Sequence, residues 1–474
     1  MENQVGKPRE NWGSKFGFIM AAAGSAVGLG NIWRFPYLTG ENGGGAFIAV
    51  YLVCVLFIGL SIMLAEFAVG RRSKLSAVGA YRAINPRWTF AGVLGVISGF
   101  FIMGFYPVVG GWASAYIFKS FTGLLNSPAT IGAAFDDFIL NPIIPIIWML
   151  LYLLVNIVIV AQGIQSGIEK AGKILMPILF ILLILIAIRS ISLPGAKAGL
   201  DFLFVPDWSK INGSTVLAAL GQAFFSLSLG MGCMITYGSY ISKDDYLPSS
   251  ALTVTMLDTG VAVLAGIAIF PALFAFGLTP AQGPGLVFVV VPQIFAEMGA
   301  LGPVFSAIFF VALMFAALTS SVSLLEVVVA YLIDEKKMAR KPAVYLTGAI
   351  MAVMGILSSL SLGLMSKSTI FGVGAFDFFD ILTDKIFLAI GGMLLALAVG
   401  WFMKKDDLKD ELTNGGTAKF GLFEIWYGLI KFVIPVAIAI VAFFGIMSIK
   451  QTSLMLFGIG IIIVLAILSF FKKL

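Results

Sequence analysis

Gly24-Ser25-Ala26-Val27-Gly28-Leu29-Gly30 and, far downstream, Ser226-Leu227-Ser228-Leu229-Gly230-Met231-Gly232 each interrupt an apolar segment with glycine. Glycine weakens a helix by its backbone freedom, so both stretches predict unwound chain near the middle of a span. In a bilayer, unpaired backbone groups persist only where they are buried in protein or line a cavity. Two such breaks at matching places in two halves point to an inverted-repeat carrier. The freed carbonyls and half-helix N-termini would form its ion and solute site.

The composition agrees. Of 474 residues, 60% are hydrophobic and only 11% charged, which excludes an ordinary soluble protein and indicates a polytopic membrane protein. The first apolar run, about 16–37, is too long for a signal peptide and lacks a small-residue cleavage site, so it reads as a retained span. The chain has no histidine, which excludes His-based metal and haem sites and Ser-His-Asp triads. Neither a nucleophile–base pair nor an organic cofactor motif is visible, so the chain is not read as an enzyme. Cys54 and Cys233 form no CxxC and read as buried small hydrophobes. The net charge of +6 reflects basic cytoplasmic loops rather than a nucleic-acid partner.

At about 20 apolar residues per span, helices are expected near 15–38, 46–70, 90–122, 143–161, 167–191, 214–241, 251–278, 303–333, 342–360, 372–403, 429–448 and 454–471, about twelve in all. The expected division is a cytoplasmic segment 1–14, repeats 15–191 and 214–403, and two accessory helices in 429–474. Basic clusters at Lys7/Arg9, Arg71/Arg72/Lys74, Lys336/Lys337/Arg340/Lys341 and Lys404/Lys405/Lys409 share one side. That places both termini in the cytoplasm of a plasma membrane, the inner membrane of a bacterium. Segment 279–302 is apolar but broken by Pro280, Pro284 and Pro292. It reads as a re-entrant or lid element, with a plain surface loop as the alternative.

Glycine, serine and threonine in membrane helices usually serve close packing. Asn31, Asp258, Thr319, Ser320 and Ser321 together with unwound carbonyls offer something further, an all-oxygen donor set suited to a small hard cation such as sodium. A carboxylate such as Asp258 inside a span is costly and by default functional.

The run Gly24 to Pro36, followed by Glu41-Asn-Gly-Gly-Gly-Ala-Phe47, closely resembles the first-helix signature of the neurotransmitter:sodium symporter family. The likeness extends through Glu66-Phe-Ala-Val-Gly-Arg71, Gly221 to Gly230 and Ala316-Ala-Leu-Thr-Ser-Ser321, and weakens after the tenth helix. It looks like the bacterial amino-acid-carrying branch. The resemblance implies an all-α membrane protein with a 5+5 inverted repeat, a leucine-transporter-like fold with helices 1 and 6 unwound. It also implies two sodium sites. The first would use Ala26, Asn31, Ser226, Asp258 and the substrate carboxylate, and the second Gly24, Val27, Ala316, Thr319 and Ser320.

Asp258 departs from the animal members, which carry Asn there. Their chloride cage is matched here by Tyr51, Gln222 and Ser226 but interrupted by Ala262, and Asp258 already supplies a fixed negative charge. Chloride-independent transport is therefore expected, with protonation of Asp258 on the return step as a corollary. Gly28 lacks the carboxylate with which amine carriers hold an ammonium, so the ligand should be an α-amino acid. Its carboxylate would meet the Leu29 and Gly30 amides and the Tyr106 hydroxyl. By position the side-chain pocket would comprise Ile102, Tyr106, Phe225, Ser228, Met231, Ser320 and Leu324, which favours an apolar or aromatic residue. Pliable Met231, where many relatives have Phe, would admit a larger ring.

The remaining charges suggest gates. Arg34 and Asp384 would close the outer side above Tyr106 and Phe225, although Asp380 lies one turn away. Arg9 and Asp334 would close the inner side, with Trp12 wedged into the bundle and Tyr240 and Glu326 completing the network. Two sodium ions entering with one zwitterion would supply roughly 7 kcal/mol at 100 mV and a tenfold gradient. The expected activity is sodium-coupled symport of an apolar or aromatic L-amino acid by alternating access, in a monomer or homodimer. The alternatives are a carrier of another small carboxylated solute and a non-transporting amino-acid sensor.

Overall fold

The structure, a computed structural model, describes residues 10–126, 128–279 and 285–471. Among these, ten helices are long and apolar enough to cross a membrane, and an eleventh crossing is a pair bent by 49°. The bent pair is α1 (Lys15–Ala26) and α2 (Gly30–Glu41). It is followed by α3 (Gly45–Ser73), α4 (Pro86–Lys119), α5 (Ile144–Ala161) and α6 (Ile164–Ile191). The expected span 214–241 is instead two short helices, α7 (Gly213–Ser226) and α8 (Cys233–Gly238), with residues 227–232 non-helical between them. Then come α9 (Leu247–Ala275), α10 (Gly299–Lys336), α11 (Arg340–Ser361), α12 (Ala375–Phe402), α13 (Phe423–Met447) and α14 (Thr452–Phe470). No strand forms among the described residues beyond one bridge between Ile370 and Val373.

Local chemistry sets the ends of the broken helices. Ser14 caps α1 by accepting from the Gly17 amide, and Asn212 with Thr215 forms a capping box at α7. The two breaks fall where the sequence places its glycines. Val27 leaves the helix with extended dihedrals, and Gly230 and Gly232 adopt φ of +78°, a conformation that disfavours any side chain. The second break also needs glycine on its neighbour. A Cβ added to Gly391 of α12 would lie 2.2 Å from the Gly230 carbonyl oxygen, so the unwound chain lies directly on α12.

Helices α4 and α10 pack along each other through the centre, while α1 sits against α6, α9 and α10. Helices α13 and α14 are the least buried spans. Segment 279–302 contains a short apolar helix, Leu286–Ala296, and is therefore more than a plain loop; residues 280–284 of it lie outside the described residues. Phe288 in this helix stacks on Phe135 with centroids 5.2 Å apart and meets Trp112 and Tyr116 of α4 edge-on. This aromatic cluster anchors the element against α4. Cys54 and Cys233 are both buried and unpaired.

Candidate functional site

The two breaks face each other and are tied by side chains. The Ser228 hydroxyl donates to the Ser25 carbonyl at 2.8 Å, and the Gln222 amide to the Gly30 carbonyl at 2.8 Å. Ser228 holds φ at +54°, the left-handed region that a non-glycine residue rarely occupies. Its hydrogen bond across to α1 helps hold it there.

At the first expected ion site, Asn31, Ser226 and Asp258 form one fully buried cluster. The Asn31 amide donates to Asp258 Oδ1 at 2.7 Å, to the Asp258 carbonyl at 3.0 Å and to Ser226 Oγ at 3.0 Å. Ser226 Oγ in turn lies 3.0 and 2.9 Å from the two carboxylate oxygens. Asn31 Oδ1 accepts from the Gly28 amide at 2.9 Å, which closes the turn of the first break. Around this cluster the Tyr51 hydroxyl, Gln222 Oε1 and Thr259 Oγ1 are buried without hydrogen-bond partners among the described residues. Ala262 is buried and contributes no polar group.

At the second expected ion site, Ser320 Oγ lies 3.3 Å from the Gly24 carbonyl and 3.0 Å from the Val27 carbonyl, which brings α10 against the first break. Thr319 Oγ1 lies 3.1 Å from the Ala316 carbonyl. Thr319 also packs so closely that a Cβ on Gly24 would come within 2.9 Å of it. The five residues therefore share one place, and each presents an oxygen of the kind a small hard cation takes.

Between these clusters lies a cavity of about 20 Å³ lined by Ala26, Gly28, Gly30, Ile102, Tyr106, Phe225, Ser228, Met231, Ser320 and Leu324, with Ser25 added. No charged side chain lines it. Of the residues expected to bind substrate, Leu29 points its amide at the Tyr106 hydroxyl, 3.2 Å away, and Ser226 turns to Asp258. On the same measure a single water needs about 10–15 Å³, so the space is about that of one water.

Above it is a second cavity of about 390 Å³, lined in part by Trp33, Arg34, Phe225, Asp380 and Asp384. Tyr106 and Phe225 line both cavities, and the Arg34–Asp384 ion pair, at 2.6 Å, lines the larger one. The guanidinium also rests 4.7 Å from the centre of the Phe225 ring. Of the two acids one turn apart, it is Asp384 whose carboxylate pairs with Arg34.

On the opposite side Trp12 is buried against Phe18, Tyr237 and Tyr240 and donates its indole N–H to the Tyr237 carbonyl at 3.0 Å. Tyr240 donates to Glu326 at 2.8 Å. Asp334 accepts from the Ser76 amide; Arg9, its expected partner, lies outside the described residues. Sequence reading missed Arg340, which forms a 2.7 Å ion pair with buried Glu326. It also missed buried Glu66, which accepts the Gly230 amide at 2.8 Å and so supports the second break. A carboxylate in the middle of a span was the available signal for Glu66.

Residues 9–130 and 143–470 match the sodium:neurotransmitter symporter family. The chain is 41% identical over 436 residues to the sodium-dependent transporter YhdH of Bacillus subtilis, covering 91% of this chain and 96% of that one. It is 28% identical over 495 residues to the sodium-dependent serotonin transporter of Drosophila melanogaster, covering 94% and 78%. The crystal structure of MhsT in complex with L-phenylalanine superposes with a TM-score of 0.84 at 50% identity, covering 92% of this chain and all of that one. The chain is thus an integral membrane transporter, a member of the sodium:neurotransmitter symporter family.

Proposed function

We infer that this protein couples the inward movement of sodium to uptake of an apolar or aromatic L-amino acid, without a requirement for chloride. The observation that carries this reading is the uncharged cavity between the two breaks, flanked on one side by the Asn31–Ser226–Asp258 cluster and on the other by the Thr319–Ser320 oxygens. A zwitterionic ligand fits such a place. Its carboxylate would take the Leu29 and Gly30 amides, the Tyr106 hydroxyl and a sodium ion held by Ala26, Asn31, Ser226 and Asp258. Its side chain would displace Met231, Leu324 and Ile102. The L-phenylalanine held by MhsT, half of whose residues are shared, supports an amino acid as ligand.

Asp258 provides the negative charge that would otherwise be required of an anion, and Ala262 leaves the surrounding polar ring without a hydroxyl at that position. A second sodium at Gly24, Val27, Ala316, Thr319 and Ser320 would link α1 to α10. Repeats 15–191 and 214–403 would then rock about the site. Arg34 and Asp384 would open the outer side, and Trp12, Tyr240, Glu326, Asp334 and Arg9 the inner side, which faces the cytoplasm with both termini. Entry of a ligand would move Tyr106 and Phe225, which line both the central cavity and the larger one.

The test is uptake of labelled L-phenylalanine into proteoliposomes under an inward sodium gradient, in chloride or gluconate, with unlabelled leucine, tryptophan and tyrosine as competitors. Accumulation that requires sodium and is equal in gluconate is the expected result. Dependence on chloride would refute the role given to Asp258. Sodium-dependent binding without accumulation would point to a sensor.

A further inference from the structure

Two carboxylates at the inner face each serve the start of the other's helix. Glu169, in the second turn of α6 and buried, accepts the Gly13 amide at 2.6 Å and the Ser14 hydroxyl at 3.0 Å. Ser14 is itself the N-cap of α1. In return Glu10, just before α1, accepts the Ile164 amide at 2.8 Å, the first amide of α6. The Gln165 side chain adds a bond to the Asn11 carbonyl at 2.8 Å.

The backbone is shaped around both carboxylates. A Cβ on Gly17 would lie 1.9 Å from Glu169 Oε1, and Gly163, at φ +92°, would place a Cβ 3.3 Å from Glu10 Oε2. Glu10 takes the first amide of α6 and Glu169 fixes Ser14, the cap of α1, so each carboxylate supports the start of a helix to which it does not belong. Trp12 lies between the two ties.

The geometry points to a reciprocal latch in which Glu10 and Glu169 are positioning residues that make the cytoplasmic ends of α1 and α6 open and close as one unit. Neither end can withdraw without uncapping the other, because each departing helix takes away its neighbour's acceptor. Lys173, 2.6 Å from the Glu169 Oε1 that also accepts from Ser14, and Arg340, 3.6 Å from Glu10 Oε1, hold the two carboxylates in place. Arg340 also joins the latch to Glu326 and Tyr240. The functional meaning of the latch rests on Trp12 acting as the inner closure, but its existence can be tested without transport.

The experiment is amide hydrogen exchange on the full chain in nanodiscs, comparing wild type with Glu10→Gln, Glu169→Gln and the double variant. The control is Asp201→Asn, which removes only the exposed Lys197–Asp201 pair. A latch predicts that each single variant speeds exchange on the order of tenfold at both 13–20 and 164–170, with no further gain in the double variant. Acceleration confined in each case to the helix that lost its acceptor, or additive effects, would overturn it. Unchanged exchange in both variants would overturn it as well. Monodispersity on size-exclusion chromatography identifies any variant that misfolds, and for such a variant Gly17→Ala, which crowds Glu169 out of its seat, gives the same reading.

Discussion

Arg34 and Asp384 meet at 2.6 Å in the lining of the larger cavity, and the Phe225 ring lies against the guanidinium. One side chain therefore takes part in an ion pair and a cation–π contact at once. Both partners are largely withdrawn from solvent, with 17% and 14% of their side chains exposed, so the pair is screened less than an ordinary surface bridge. Removing one partner should cost about 1–3 kcal/mol of closed-state stabilisation. Arg34→Ala and Asp384→Ala are expected to lower sodium-driven uptake roughly tenfold or more. Asp380→Ala should change it little, because Asp380 makes no ion pair with Arg34 among the described residues. Uptake rates of the three variants in proteoliposomes check this order.

Asp258→Asn keeps the shape of the buried cluster and removes its charge. A hydrogen bond to a charged group contributes about 1.5–3 kcal/mol, so the sodium concentration for half-maximal uptake should rise roughly tenfold to a hundredfold. The unpartnered hydroxyls of Tyr51 and Thr259 then face a site without its anion, and chloride should restore part of the lost affinity. Sodium titrations of uptake in chloride and gluconate measure both effects.

Met231 can yield to a ring because its unbranched thioether repacks easily. Met231→Phe replaces it with a rigid ring in a cavity that already has little free volume. Competition by tryptophan and tyrosine should weaken about tenfold, a difference of roughly 1.4 kcal/mol. Competition by leucine should change much less. A panel of unlabelled competitors reads the difference directly.

Gly391→Ala places a methyl group against the Gly230 carbonyl. Overpacking of this kind typically costs about 1–3 kcal/mol. A fall of several degrees in melting temperature is expected, with loss of uptake exceeding the loss of folded protein, because the displaced chain is the second break itself. Thermal unfolding followed alongside uptake separates the two effects.

The breaks were readable in sequence because glycine within an apolar run is a local signal whose meaning in a bilayer is fixed by backbone hydrogen bonding. Asn31, Ser226 and Asp258 were assigned to one place only through a family resemblance; nothing in their spacing brings three distant helices together. Arg340 illustrates the limit. It stands in a run with Lys336, Lys337 and Lys341, where one arginine that turns inward looks like the solvated charges beside it. Glu10 and Glu169 were invisible for a related reason, since a cap supplied by another helix leaves no mark in the local sequence. The interruption at 227–232 was foreseen, but not that so little helix would follow it, because the hydropathy of 233–241 is that of a span while its length is set by packing against α3 and α10.

The burial of Cys54 and Cys233 within helix packing should leave the native chain little labelled by thiol-reactive dyes. A cysteine introduced at exposed loop positions such as Trp208 or Leu364 would carry its fluorophore alone. Movements of the outer face can then be followed by single-molecule spectroscopy in the otherwise unaltered protein, with both buried thiols left to fill the volumes they occupy.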